Sequence, residues 1–103
     1  MVDRSLVIIW SLPARDDLKA IYDYIARDSK RYAIRVTQDI RDGAKTLSEF
    51  PQLGKSVAEI GEEHVREINM YSYRLMYEVT PDTIYIHGVI HMRRNFKPED
   101  IER

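Results

Sequence analysis

After a short first strand, the hydrophobic period of this chain changes from helical to strand-like at Pro51-Gln52-Leu53-Gly54-Lys55. From Ser11 to Phe50 apolar residues recur at helical spacing, and from Ser56 to Met92 they alternate as strand residues do. A chain so divided keeps its helices apart from most of its sheet. The pattern predicts an α+β domain: an N-terminal strand, then an antiparallel two-helix hairpin packed on one face of a mostly antiparallel sheet.

The first element is "LVIIW", Leu6 to Trp10, short and β-branched, which reads as a buried strand. In "SLPARDD" Ser11 can cap a helix, Pro13 is tolerated in its first turn, and Asp16 and Asp17 suit the positive end of its dipole. Ala14, Leu18, Ile21, Tyr22 and Ile25 then build one apolar face. Ser29 caps a second helix, whose stripe runs through Ala33, Val36, Ile40, Leu47 and Phe50 until Pro51 stops it. The short link between the helices implies a hairpin.

Four strands are expected in the second half: "SVAEI", "HVREINMY", "YRLMYEVT" and "TIYIHGVIHM", the last two joined by a turn at Thr80-Pro81-Asp82-Thr83. Strict alternation puts Leu75, Tyr77 and Val79 on the core face with Ile84, Ile86, Gly88 and Ile90. The opposite face, not covered by helices, then collects Arg74, Met76 and Glu78 with Tyr85, His87, Val89, His91 and Arg93. That surface is basic and aromatic.

Length and charge bound the function. At 103 residues the chain reads as one domain, residues 1–103, without repeats or linkers. Its 16 basic and 17 acidic side chains give a formal charge of -1, so it lacks the basic excess that nucleic-acid binding usually requires. The absence of cysteine excludes thiolate catalysis and disulfides. No apolar run is long enough for a membrane span or signal core, and the chain reads as cytoplasmic. His87 and His91 would lie about 13 Å apart on one strand face, too far to share an ion, and His64 brings no evident carboxylate. No metal and no cofactor is expected.

The motifs "LPARDDLKAIYDYIARDS", "LSEFPQLGKSVAEIG", "VREI", "YSYRLMYEV" and "IHGVIHMRRN", in this order, resemble the RelE/ParE superfamily of type II toxins and lie closer to its ParE branch. The resemblance runs from Trp10 to Asn95. It implies a toxin neutralised by a cognate antitoxin that wraps its surface, within a homodimer or a toxin-antitoxin heterotetramer. ParE-like members are similar to poisons of DNA gyrase or another topoisomerase and do no chemistry themselves. RelE-like members cleave messenger RNA on the ribosome. Fold does not choose between these activities.

The residues tilt the comparison. Arg74 matches an arginine of the RelE phosphate site, Arg94 falls near another, and His91 could serve as a general acid or base. Two lysines common in the strand before "YRL" fall at Val65 and Glu67, and "FKPEDIER" lacks the usual tyrosine. A carboxylate in place of a cation raises the electrostatic cost of a phosphate there. The resemblance therefore implies a target-binding surface of Arg74, His91, Arg93 and Arg94, with "IHMRRNF" as a docking segment. Tyr24, off the core face of the first helix, joins Arg74 and Tyr85 as expected antitoxin contacts. For Arg74, cross-strand pairing with Glu67 or Glu78 is an equal expectation.

Overall fold

A computed structural model describes residues 5–101 and 103. Strand β1, Val7–Trp10, leads into helix α1, Leu12–Ala26, whose first turn is capped by Ser11: its hydroxyl accepts the Ala14 N–H at 3.1 Å. Helix α2, Lys30–Thr46, is capped by Ser29 through the Tyr32 N–H. Strands β2, Lys55–Ser56, β3, Val65–Met70, β4, Tyr73–Val79, and β5, Thr83–His91, follow, then a short 3-10 turn at Pro98–Asp100. Sheet order is β1-β5-β4-β3-β2, with β1 parallel to β5 and every other pair antiparallel.

The α1 and α2 stripes meet the sheet as their spacing predicts. Ala14, Leu18, Ile21, Val36, Ile40, Ala44 and Leu47 pack on Leu75, Tyr77, Ile84, Ile86 and Val89 in the principal core. Tyr77 is fully buried and uses its hydroxyl on the turn between α2 and β2, donating to the Pro51 carbonyl and accepting the Gly54 N–H, both at 2.9 Å. Gly54 is obligatory there, because a Cβ would fall on the Glu67 carbonyl and the Tyr77 hydroxyl.

Several sequence expectations are corrected. β1 is an edge strand rather than a buried one, with Val7 and Ile9 exposed, because only β5 flanks it. Of "SVAEI" only Ser56 joins the sheet; Val57 turns the chain by accepting the N–H groups of Ile60 and Gly61. Helix α2 stops at Thr46 and leaves Phe50 exposed, since Ser48 turns away to hold Leu6 through its backbone and hydroxyl. Asp16 and Asp17 lie beyond the first turn of α1, where the dipole argument no longer applies.

The largest correction is a β-bulge. Met76 pairs with Gly88 but Tyr77 pairs with Ile86, so His87 is an extra residue with no partner across the ladder. One inserted residue inverts the alternation that follows it. Val89 therefore joins the helix-side core, and Ile90 moves to the other face. His91 follows Val89 to the helix side, opposite Tyr73.

The outer face is not bare either. Val57, Val65, Met76 and Ile90 form a second core with Phe96 and Ile101, so the segment after β5 folds back over the sheet. No helix among the described residues is long and apolar enough to cross a membrane.

Candidate functional site

Arg74 sits on the outer face of β4 and is held by two carboxylates. Its Nε and Nη2 donate to Glu67 at 3.0 and 2.6 Å, and its Nη1 and Nη2 donate to Glu59 at 2.9 and 2.8 Å. The Phe96 ring lies 5.5 Å from the guanidinium, and the arginine side chain is 13% exposed. The hydrogen bonds that Arg74 donates to Glu59 and Glu67 push its pKa up, and the bond to Glu59 holds that carboxyl below the usual carboxylate range. A guanidinium so enclosed is a poor ligand for an incoming phosphate, because both forks are already occupied.

His91 and Arg94 lie elsewhere, in a groove of about 620 Å³ between the closed, loop end of the helix hairpin and the β3-β4 tip. Tyr24, Tyr32, Tyr71 and Tyr73 line it with them. The β3-β4 tip supplies the geometry: Tyr71 has φ 56, a left-handed conformation that costs a non-glycine residue, and its hydroxyl donates to Asp39 on α2. Its ring meets Tyr32 edge-on at 6.3 Å, and Tyr73 meets His91 edge-on at 5.5 Å. The bond to Asp39 raises the Tyr71 pKa, and burial raises that of Tyr73.

His91 itself is oriented by its neighbours. Its Nδ1 accepts the Arg93 N–H at 3.0 Å, which assigns the proton of the neutral ring to Nε2. The Arg93 and Arg94 side chains are exposed; Arg94 reaches Asp100 only at 3.7 Å. Below the groove, Asp17 accepts the Val89 N–H, and burial raises its pKa despite that bond and the Arg94 charge.

Tyr85 remains on the outer face, stacked on His87 at 6.5 Å. His87 contacts Glu78 through Nε2 at 2.9 Å, while its buried Nδ1 has no partner. Glu78 also faces His64 and receives Arg103. Burial pushes the Glu78 carboxyl up, but the hydrogen bonds from Arg103 and His87 outweigh it and leave the pKa lowered. Among the described residues no group of three or more His, Asp or Glu side chains is arranged to hold a metal ion.

The structure thus divides the residues singled out from sequence. Tyr24, His91 and Arg94 come together in the groove; Arg74 and Tyr85 stay on the outer face; Arg93 is exposed at the strand end. The expectation that His91 shares a face with Arg74, Tyr85 and His87 fails because of the bulge. Sequence reasoning missed Glu59, which reaches Arg74 from a turn, and the groove tyrosines Tyr71 and Tyr73. "YSY" at a hairpin tip was the available signal for those two.

Residues 8–96 match the family described as ParE toxin of type II toxin-antitoxin system, parDE. Among solved structures the chain is similar to one of the chromosomal ParDE toxin-antitoxin system from P. aeruginosa, with 23% identity over 86% of this chain and 98% of that one, and a TM-score of 0.70. It is also similar to one of the RelBE2 toxin-antitoxin complex from Mycobacterium tuberculosis, with 21% identity over 84% and 98% and a TM-score of 0.64. At these identities the likeness shows the fold. Comparison with curated proteins gives no match.

Proposed function

The chain belongs to the ParE toxin family of type II toxin-antitoxin systems, and from that premise we propose that it acts by docking on a DNA topoisomerase, DNA gyrase first, without catalysing a reaction. The observation that carries this reading is the separation of Arg74 from His91. Phosphodiester cleavage needs an acid-base group and a phosphate-holding cation around one reacting phosphorus. Here the bulge turns His91 to the helix side, while Arg74 stays on the outer face with both forks taken by Glu59 and Glu67. The groove with Tyr24, Tyr73, His91 and Arg94 has the character of a contact surface instead: exposed aromatics beside a loosely held cation.

A cognate antitoxin is the second partner. The two solved structures named above are described as a toxin-antitoxin system and a toxin-antitoxin complex, and this chain offers two features that a wrapping segment could use. One is the aromatic groove at Tyr24; the other is the free edge of β1 with exposed Val7 and Ile9. Arg74 and Tyr85 would be reached only by a segment that also crosses the outer face. A homodimer or a toxin-antitoxin heterotetramer would each cover these surfaces.

One observation favours messenger cleavage as the competing reading: His91 and Arg94 share the groove with Tyr73. The deciding experiment assays gyrase supercoiling and ribosome-bound messenger cleavage with one purified sample. Inhibited supercoiling with intact messenger supports docking on gyrase. Cleaved messenger with normal supercoiling replaces it by the ribonuclease.

A further inference from the structure

The formal charge of -1 conceals a separation in space. Helix α2 carries Lys30, Arg31, Arg35, Arg41 and Lys45 against Asp39 and Asp42, a formal +3, which leaves -4 for the rest of the chain. Arg31, Arg35, Gln38, Arg41 and Lys45 follow one another at spacings of four, three, three and four residues, and all are exposed, with one carboxylate among them, Asp42, which accepts from Gln38 at 3.0 Å. That spacing is one face of a helix, about 21 Å long at 1.5 Å per residue. The opposite face, Ala33, Val36, Ile40 and Ala44, is buried, so the cationic stripe points outward along its whole length.

These cations are also uncommitted. None of the ion pairs among the described residues involves Arg31, Arg35, Arg41 or Lys45. On the sheet side the arginines are engaged: Arg74 and Arg103 on carboxylates, and Arg66 on the Gly54 and Glu63 carbonyls. The surface is broader than one stripe, because Arg41 lines the same cleft as Arg15 of α1, where Lys19 is already paired with Asp23.

We infer that this face of α2 binds the phosphate backbone of duplex DNA. A row of unpaired cations spanning about four turns of the helix from end to end matches a polyanion whose charges repeat along a ridge, and counterion release supplies the affinity. The stripe lacks what other occupants need. A protein partner would ask for a central cluster of apolar anchors, and Ile34 is the one large apolar side chain exposed between these cations. Single strands ask for stacking platforms, yet Tyr32 of α2 is turned to Tyr71 instead. The choice of DNA over duplex RNA rests on the topoisomerase reading, since such a target holds its DNA beside any docked toxin.

The test is the salt dependence of binding by the full chain to a labelled random-sequence DNA duplex, with an RNA duplex in parallel. Four contacts predict a slope of log K against log salt near -3.6, about -0.9 for each. Arg35→Gln/Lys45→Gln should flatten the slope by about two. Lys55→Gln/Lys97→Gln removes the same charge elsewhere and should leave the slope unchanged. Circular dichroism confirms that each variant is folded. Equal weakening by both pairs, or no duplex binding at low salt, overturns the inference, as does binding to RNA alone. Retained stripe-dependent DNA binding by a parent that fails to inhibit gyrase would refute the topoisomerase reading and leave this surface standing.

Discussion

Asp17 on α1 accepts the backbone N–H of Val89 on β5 at 3.0 Å, beside the bulge at His87. Ser11 holds the same place from the start of the helix, its hydroxyl donating to the His87 carbonyl at 3.3 Å and its N–H to that of Ile86 at 3.0 Å. A bulge disrupts the ladder locally, and here α1 supplies the replacement partners. The face on which His91 appears is therefore fixed by a helix as well as by the strand.

Asp17→Ala should destabilise the protein by about 1 to 3 kcal/mol, because the Val89 N–H is left without its acceptor. Asp17→Asn keeps an acceptor and should be far milder. Burial raises the Asp17 pKa above 3.8, so the folded state holds that proton more tightly than the unfolded one. Its contribution is then full below pH 3.8 and is lost as pH rises through the raised folded-state value. Urea unfolding at acid and neutral pH should show Asp17→Asn gaining on the parent as pH rises. Equal loss for both variants at neutral pH would show that the charge, rather than the acceptor, is required.

Arg74→Ala should cost about 3 to 5 kcal/mol, since it leaves Glu67, 4% exposed, as an uncompensated buried charge. Arg74→Met combined with Glu67→Leu should restore most of that loss. Glu59, held below 4.5 by Arg74, works with the opposite sign to Asp17: its contribution is present above pH 4.5 and is lost as pH falls through the lowered value. If the double variant is stable and still toxic, Arg74 serves the fold; if it is stable and harmless, Arg74 serves contact.

Most of the scaffold was legible because apolar spacing and capping residues act locally. Ser11 and Ser29 cap their helices, and Ile84 and Ile86 face them, as the sequence pattern predicts. The reading failed after His87, where Gly88 is the one local sign that separates a strand with an inserted residue from a regular one. A one-residue insertion reverses every later side chain, so the error passed to Val89, Ile90 and His91 together. Phe96 and Ile101 escaped notice because their partners, Met76 and Val65, lie far off in sequence.

The two cores should respond differently to truncation. Ile84→Ala and Ile86→Ala should each lower global stability by about 2 to 5 kcal/mol. Ile90→Ala should instead loosen the segment that carries Phe96 and Ile101, because those two close the second core over the sheet residues Val57, Val65, Met76 and Ile90. Hydrogen exchange checks this: faster exchange confined to residues 96–101 is expected for Ile90→Ala. Uniform acceleration across α1 and α2 would place Ile90 in the principal core after all.

Docking and acid-base chemistry at His91 rank the same three variants in opposite orders. In the docking reading, Arg94→Ala and Arg93→Ala lower toxicity by removing exposed cations from the target contact, while His91→Ala leaves it largely intact. The geometry favours that ranking, because His91 Nδ1 is occupied by the Arg93 N–H and the ring packs edge-on against Tyr73. Only Nε2 is left to exchange a proton, and Arg74 is on the other face, where it cannot share the same phosphate. An acid-base role predicts the reverse order, with a loss on the order of a hundredfold or more for His91→Ala alone. Growth arrest and messenger integrity should be measured together for the parent and the three variants. Persistent arrest by His91→Ala with intact messenger supports docking, whereas codon-specific cleavage by the parent that vanishes in His91→Ala makes the groove a catalytic one.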